Sequence, residues 1–532
     1  MEVTGYIWAG VLAVFQGPEI ASLFGLPISI TLVMILGGFL TGIIVGATPG
    51  LSGAFAMAVS LPILISIFGV DSDALLPVMG FLIGIMKGAT VGGAVPAILF
   101  NTPGTPDALL TTFDGYPMTK RGQSGKALRV AHFSSASGDT VSDIVLFTTA
   151  PFLAILVESY LGFTEKAALI ILSLSFISAV VGSSITKGLI AACLGLFLAG
   201  IGQGEDQYPR LTLEIVEMSG GISLISAILG VLVLGEVFKS LEDLHKERRS
   251  TSKIKQIEQS GDNKLHWADI RRILPYIGIS ASVGTFIGAL PGIGTTLAAT
   301  IGYSFGREIS GKPEEFGTGI PEGVAATEAA NSAVSGANLI PVLSLGIPGN
   351  VAAVFLILAT ESIAGFNPGP PVFNFNPVEV NTELVMCFGL FTIMVIGNAI
   401  NWSIGGLFMG VTGALIRIPK VYMLPCVVLL TLTSIYVQDT SMTSVYVAIA
   451  FGVLGYLMRK MDMSVLPFVI AFILSGNLET TIRQAFSASG GDPYFFFKSP
   501  ISLAFFAAMA VIIYFFGIRS RARGSQSENL KR

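Results

Sequence analysis

Long stretches of this chain carry no charged residue. Five of these runs are Ile20–Val70, Ile273–Gly306, Ala329–Thr360, Leu384–Ile416 and Ser499–Ile518. About 20 apolar residues cross a bilayer as a helix, so several runs hold more than one crossing. The pattern predicts an all-α integral membrane protein with roughly 11–12 spans, some of them broken or re-entrant.

Glycine and proline punctuate the apolar runs twice, in the same order. The first pattern is Gly38-x3-Gly42-x3-Gly46-x2-Pro49-Gly50, and about 242 residues later the chain reads Ser280-x3-Gly284-x3-Gly288-x2-Pro291-Gly292. A second pattern, Pro96 with Pro103-Gly104, is likewise repeated as Pro341 with Pro348-Gly349. Interrupted hydrophobic segments at matching places in two halves indicate a transporter's binding site.

The charges divide the chain into two membrane repeats, 1–238 and 273–518. The segment 239–272 between them is the one long polar stretch, and its many basic residues predict a cytoplasmic linker. The basic tail, 519–532, is predicted to be cytoplasmic for the same reason.

Equivalent loops of the two halves carry opposite charge. The loop with Asp71 and Asp73 has no base, whereas its counterpart carries Arg307 and Lys312. After the second pattern the bias reverses, because 120–129 is basic and 361–383 has no base. Equivalent loops are therefore expected on opposite sides of the membrane, which predicts an inverted-topology repeat that operates by alternating access.

The helix breaks offer two kinds of ligand. A helix that starts after a Pro-Gly break presents free N–H groups to an anion, while exposed carbonyls beside the break hold a cation. Predicted substrate ligands are Ser52, Gly53, Thr295, Thr296, Asn101, Thr102, Pro103, Gly104, Thr105, Gly346, Pro348, Gly349 and Asn350. Predicted coupling-ion positions are Pro49, Gly50, Pro291 and Gly292. The competing interpretation of the second pattern is a plain interfacial turn.

Ionisable residues inside apolar runs are functional candidates. Lys87 either pairs with a substrate carboxylate or reaches the membrane interface along its aliphatic stem. Glu328 and Asn331 share a helix face and form either a proton or cation site or an acidic first helical turn. Asp107 and Asp114 are predicted to be loop or cap residues.

Composition excludes other classes. The net charge of −4 argues against a nucleic-acid partner, and the three cysteines give neither a disulfide framework nor a metal site. The amino terminus lacks the basic region of a signal peptide. Gly50-Leu51-Ser52-Gly53 matches an intramembrane serine protease motif, but no histidine is well placed to act as the base. No enzyme activity and no cofactor other than a coupling ion are predicted.

Several long motifs carry a resemblance to a known family. They include Gly92–Pro106, Asp114–Met118, Gly46–Gly50, Pro291-Gly292-x-Gly294, Pro321–Ala326 and Ile340–Gly349. Together with Glu328-Ala329-Ala330-Asn331 they resemble the large membrane subunit of tripartite tricarboxylate transporters, and the similarity runs from about Leu26 to the last span. Two departures from that pattern are Lys87, where an aromatic residue is expected, and Thr327, where proline is expected.

The resemblance implies a secondary transporter for a tricarboxylate or dicarboxylate in a bacterial inner membrane, driven by H⁺ or Na⁺. It also implies a small membrane subunit and a periplasmic solute-binding protein as partners. A homodimer is compatible with the sequence. A passive organic-anion channel is the alternative function, and a purely structural scaffold is disfavoured by the broken helices.

Overall fold

A computed structural model gives the fold of the chain. It describes residues 3–16, 19–23, 26–48, 51–181, 184–202, 204–205, 208–212, 220–247, 263–292, 294–363, 366, 368–373, 380–409 and 420–529. Within these ranges, β-structure is confined to two short antiparallel hairpins. They pair β1 (Glu19–Leu23) with β2 (Leu26–Ser29) and β3 (Gly204–Glu205) with β4 (Tyr208–Pro209).

Helices separated by short turns form the first part of the chain. They are α1 (Val3–Phe15), α2 (Ile30–Gly46), α3 (Gly53–Phe68), α4 (Ser72–Phe100), α5 (Thr111–Lys120), α6 (Ser124–Tyr160), α7 (Phe163–Val180), α8 (Ile185–Ala199), α9 (Leu224–Leu229) and α10 (Gly235–Glu247). A 3₁₀ turn, Pro106–Leu109, precedes α5, and a π-helical turn, Gly230–Leu234, joins α9 to α10.

The second part has the same character. Its helices are α11 (Trp267–Gly288), α12 (Thr295–Ile309), α13 (Pro321–Ala337), α14 (Leu339–Leu345), α15 (Val351–Ser362), α16 (Thr382–Ile400), α17 (Lys420–Asp439), α18 (Met442–Lys460), α19 (Leu466–Ala488), α20 (Phe495–Lys498) and α21 (Pro500–Asn529). The π-helical turn Asn401–Gly405 extends α16, and 3₁₀ turns occur at Pro313–Glu315 and Pro370–Phe373.

The helices match the predicted all-α membrane class. Among the described residues, six helices are long and apolar enough to cross a bilayer, and seven shorter apolar helices accompany them. As expected, more than one helix occurs in each of the charge-free runs Ile20–Val70, Ile273–Gly306 and Ala329–Thr360. The predicted linker is partly helical, because α10 extends to Glu247 and α11 starts at Trp267. The last helix, α21, continues through the predicted tail as far as Asn529.

The chain forms two compact units, and each unit contains residues from both halves of the sequence. The first unit contains residues 1–155, 250–290 and 294–423, so it combines the leading part of each half. The second contains residues 156–249, 291–293 and 424–532. The Glu328 and Lys87 side chains described below lie within the first unit.

Small residues bring the helices of the first unit into close contact. At Gly38 and Gly42 of α2, a Cβ atom would overlap backbone atoms of α4, and the same holds in reverse at Gly88. In the second half, Gly284 of α11 lies in the same way against Ala330 of α13. The α2/α4 pair thus has its counterpart in α11/α13, because glycine lets two backbones approach.

The core of the first unit surrounds these crossings. Fully buried apolar residues from α4, α6, α11 and α13 pack together, among them Val95, Val130, Ile273 and Ala329. Hydrophobic packing of this kind holds the helix breaks at fixed positions, since protein interiors are close-packed.

In the second unit, Arg459 of α18 stabilises the π-helical turn between α9 and α10. Its guanidinium donates to the carbonyl oxygens of Val231 at 2.7 Å and Leu232 at 3.1 Å, and it pairs with Glu236 at 2.9 Å. A π-helical turn disrupts the regular carbonyl pairing of a helix, and these bonds satisfy two of the carbonyls concerned.

Candidate functional site

We call the helix break at the second glycine–proline pattern of each half the second break, and its backbone has the same geometry in both halves. Helix α4 ends at Asn101 and α14 ends at Gly346, and both residues adopt the left-handed conformation, with φ of 55° and 70°. The backbone N–H of the following residue then donates to the carbonyl oxygen of a proline earlier in the helix. Thr102 N–H donates to the Pro96 carbonyl at 3.3 Å, and Ile347 N–H donates to that of Pro341 at 3.2 Å.

Glycines allow a second equivalent contact at these breaks. A Cβ atom at Gly104 would lie 3.1 Å from the Cα of Gly93, and one at Gly349 would lie 3.1 Å from the carbonyl oxygen of Asn338. Position 93 corresponds to position 338 in the repeat. The two breaks thus share a left-handed residue, a bond back to a proline carbonyl and a close glycine contact, which supports the predicted repeat.

The exposure of the residues in the two breaks differs. Asn101 and Thr102 are exposed, Pro103 is partly buried, and Gly104 and Thr105 are buried. In the other half, Pro348 and Gly349 are buried, whereas Gly346 and Asn350 are partly buried. Each break thus includes residues that are open to their surroundings.

Three helices start directly after breaks, two of them where the sequence predicted a start. Ser52 caps α3 by accepting the Phe55 N–H at 3.2 Å, and Asn350 caps α15 by accepting the Ala353 N–H at 2.9 Å. Helix α12 begins at Thr295, directly after Gly294. The side-chain oxygen of Asn350 is engaged in capping, so its amide nitrogen is the group left to contact a ligand.

The first breaks are described only in part. Pro49 and Gly50 lie outside the described residues. Gly53 starts α3 and lies against Ala89. Pro291 and Gly292 belong to the second unit, where Gly292 has a φ of 81° and lies against Ile177. Thr295 and Thr296 form the partly exposed first turn of α12.

A buried polar cluster surrounds Glu328. The Thr111 hydroxyl donates to one oxygen of this carboxylate, and the Ser135 hydroxyl donates to the other at 3.1 Å. Glu328 is completely buried in the middle of α13, so it is not an acidic first-turn residue.

Asp107 lies beside the same cluster. It interacts electrostatically with Glu328 and is close to Thr105 and Asn331, although the Thr105 hydroxyl and the Asn331 amide make no hydrogen bond among the described residues. The predicted pairing of Glu328 with Asn331 on one helix face is thereby connected to the break at Thr105. We refer to Thr105, Asp107, Thr111, Ser135, Glu328 and Asn331 as the Glu328 cluster.

Asp114 is predicted to be a loop or cap residue, but it lies within α5 and binds a turn in a distant part of the chain. Its carboxylate accepts the N–H groups of Gly319 at 2.8 Å and Ile320 at 3.0 Å, and the Tyr303 hydroxyl at 2.9 Å. It also accepts the Gly317 N–H at 3.0 Å. These bonds fix the turn that leads into α13 and so help to position Glu328.

Lys87 does not take the second of its two predicted roles, and its pairing with a substrate carboxylate stays a prediction. Its side chain is 0% exposed, so it does not reach an interface, and its ammonium group already has protein partners. It lies 2.9 Å from Asp143 and 3.3 Å from Asp139, both on α6, and donates to Asn398 on α16 at 2.9 Å. We call Lys87, Asp139, Asp143 and Asn398 the Lys87 centre.

Sequence reasoning overlooked the two aspartates of this centre. Asp139 and Asp143 are the only carboxylates between Arg129 and Glu158, and they lie one helical turn apart. Ionisable residues in an apolar helix are functional candidates, so the same criterion that selected Lys87 would have found them.

The fold and the broken helices define a multi-pass membrane protein of the transporter class. The model of the tripartite tricarboxylate transporter TctA family matches residues 32–470. The chain belongs to this family. Family membership makes it the membrane component of a transport system and agrees with the expectation that it is not an enzyme. It also indicates that further subunits accompany it.

Two curated relatives come from Agrobacterium vitis. One, an uncharacterized 52.8 kDa protein in the TAR-I ttuC' 3'region, is 32% identical over 491 residues, which cover 91% of this chain and 93% of the relative. The other, an uncharacterized protein in the TAR-II ttuC' 3'region, is 32% identical over 219 residues, or 41% of this chain and 87% of the relative. No solved structure matches the chain.

Proposed function

We propose that this chain is the permease of a secondary active importer for a tricarboxylate or dicarboxylate. Transport is driven by a proton or sodium gradient across a bacterial inner membrane. A periplasmic binding protein delivers the substrate, and a small membrane subunit completes the system. The family membership supports this assignment at the level of the transport system.

The observation that carries the proposal is the reciprocal contact between broken helices of the two halves. Helix α3, which follows the first break of the first half, contacts α15, which follows the second break of the second half. Conversely, α12 contacts the 3₁₀ turn Pro106–Leu109. Paired breaks from two repeats are the usual setting of a transporter's substrate site, because a free helix terminus is compatible with membrane depth only beside a cavity.

At these breaks, backbone N–H groups and neutral side chains bind the substrate carboxylates. Ser52 and Asn350 lie at the starts of two helices whose positive dipole ends favour an anion. Asn101 and Thr102 contribute exposed amide and hydroxyl groups, which donate to a carboxylate. The acidic Glu328 cluster suits the coupling cation rather than the anion.

Apart from the amide nitrogen of Asn331, the polar side-chain atoms of the Glu328 cluster are all oxygens. Two of its groups are the carboxylates of Asp107 and Glu328. Hydroxyl, amide and carboxylate oxygens are ligands for a hard cation, and a proton bound to Glu328 is the alternative. Because Thr105 belongs to both the second break and this cluster, cation occupancy affects the same backbone that binds substrate. Alternating access follows from movement of one helix bundle around that site.

Uptake of radiolabelled citrate tests the proposal. The chain, its small membrane subunit and its binding protein are reconstituted in proteoliposomes, and sodium and proton gradients are imposed separately. Accumulation above equilibrium that follows one gradient is expected. Equilibration that ignores both gradients favours the channel alternative. If a panel of tri- and dicarboxylates shows no movement at all, the importer assignment is wrong.

A further inference from the structure

The Lys87 centre contains two carboxylates and only one cationic group. Lys87 comes from α4, Asp139 and Asp143 from α6, and Asn398 from α16, and all four side chains are buried. In the described part of the chain, α13 adds to this centre only the neutral Ser335, whose hydroxyl donates to Asp139. With both aspartates ionised, the centre carries one uncompensated negative charge.

The hydrogen bonds single out one oxygen atom. Both oxygens of Asp139 have partners, namely Ser335 and Lys87. Oδ2 of Asp143 accepts from Lys87 at 2.9 Å and from the Asn398 amide at 2.7 Å. Oδ1 of Asp143 has no hydrogen-bond partner among the described residues, although Asp143 is only 1% exposed.

A buried, unpartnered carboxylate oxygen is unfavourable, and a lone excess charge in such a place is more so. A bound proton removes the larger of these costs, because it neutralises the excess charge and leaves one ammonium group with one ionised carboxylate. A metal cation is disfavoured here by the Lys87 ammonium, which already contacts both carboxylates. Gly336 of α13 lies so close to Asp143 and Ser142 that a Cβ atom would overlap them, which leaves little space for a larger ion.

We propose that the Lys87 centre is a proton-binding site of the transport cycle, with Oδ1 of Asp143 as the acceptor. The inference rests on the proposed importer function and adds a second cation position to the Glu328 cluster. The two are connected along α6, since Ser135 bonds Glu328 while Asp139, one turn further, belongs to the Lys87 centre.

A second cation has a physical use in such an importer. Moving negative charge into a cell with a negative interior is unfavourable, and the cost of importing a multivalent carboxylate grows with each of its charges. The Lys87 centre is neutral when protonated and negative when empty. Helix α4, which carries Lys87, leads directly into the break at Asn101, so the charge of the centre acts on the substrate site through a rigid element.

Proton binding can be measured without transport. Infrared difference spectra of the purified chain between high and low pH show the C=O stretch of any carboxyl group that becomes protonated. We expect a band from the Lys87 centre in the wild type. It should be lost in both Asp143→Asn and Asp139→Asn, because either variant leaves one carboxylate for one ammonium group. Asp73→Asn, at an exposed position on α4, is the matched control and should keep the band.

Two outcomes would overturn the inference. The first is a pH-difference spectrum that is the same in the wild type and in both variants. The second is a wild-type spectrum that shows no band from a buried carboxyl group. Asp139→Asn serves if Asp143→Asn fails to fold. In reconstituted transport, Asp143→Asn should lose proton-driven accumulation by about tenfold or more. If the wild type shows no substrate exchange at all, the importer function is refuted, independently of the spectra.

Discussion

At the scale of single residues, Asn101 shows how backbone and ligand roles coincide. It ends α4 with a φ of 55°, and the equivalent position in the other half is Gly346. Glycine adopts this conformation without steric cost, whereas asparagine tolerates it better than other residues with a side chain. The presence of asparagine where glycine suffices suggests that the amide itself is used.

Two substitutions at Asn101 separate these roles. Asn101→Gly removes the amide and keeps the backbone relaxed, while Asn101→Ala removes the amide and adds about 1–2 kcal/mol of strain. We expect both to abolish uptake and only Asn101→Ala to lower the melting temperature of the purified chain. Wild-type uptake by Asn101→Gly would exclude the amide as a substrate ligand.

Asn350 is tested by a substitution that keeps its cap. Serine caps a helix about as well as asparagine, whereas alanine costs roughly 1 kcal/mol. Asn350→Ser should therefore leave stability unchanged and still abolish uptake, because the amide nitrogen is lost. Asn350→Ala should reduce both, as seen in parallel uptake and thermal unfolding measurements. Normal uptake by Asn350→Ser would mean that capping is the whole role of this residue.

Lys87 allows a stability prediction at the same scale. Removing one partner of a buried ion pair leaves uncompensated charge and costs about 3–5 kcal/mol. Lys87→Met should lower the free energy of unfolding by this amount in detergent. Lys166→Met, which breaks the partly exposed pair with Glu158, should cost about 0–1 kcal/mol. Equal effects of the two substitutions would contradict a buried ion pair at Lys87.

At the scale of helices, local sequence predicted where elements break but not which distant residues meet. Proline and glycine restrict the backbone of their own neighbourhood, so the ends of α4 and α14 and the starts of α3 and α15 follow from nearby residues. The pairing of Lys87 with Asp143, 56 residues away, depends on how α4 and α6 pack. The same holds for Asp114, which caps a turn about 200 residues away.

The α2/α4 crossing provides a test of the predicted glycine packing. At Gly38 a Cβ atom would overlap the Phe81 backbone, whereas at the adjacent Gly37 it would lie in ordinary contact, 3.6 Å from the Phe81 ring. Overpacking typically costs about 1–3 kcal/mol. Gly38→Ala should therefore destabilise the purified chain by at least that much, and Gly37→Ala should leave its unfolding nearly unchanged. A neutral Gly38→Ala would show that the two helices separate easily.

At the scale of the whole molecule, the two halves share a sequence pattern, and the charges also predict how each half is oriented across the membrane. The equivalent closures at Asn101 and Gly346 and the equivalent α2/α4 and α11/α13 pairs support two related halves. The opposite charge of equivalent loops predicts that one half is inverted, because basic residues accumulate on the cytoplasmic side. An inverted pair can exchange conformations between its halves, which provides two states of one site that face opposite sides of the membrane.

Labelling of single cysteines decides this orientation. Cys193, Cys387 and Cys426 are first replaced, and a cysteine is then introduced at Asp73, in the first turn of α4, or at Lys312, in the turn after α12. Both positions are exposed and lie at equivalent connections of the two halves. A membrane-impermeant maleimide applied to intact spheroplasts should label Asp73→Cys and not Lys312→Cys, while opened membranes should show labelling of both. A cysteine in the predicted cytoplasmic tail, at Ser525, controls for leakage. If Asp73→Cys and Lys312→Cys react from the same side, the halves are parallel, and alternating access must then arise from a movement other than an exchange between inverted repeats.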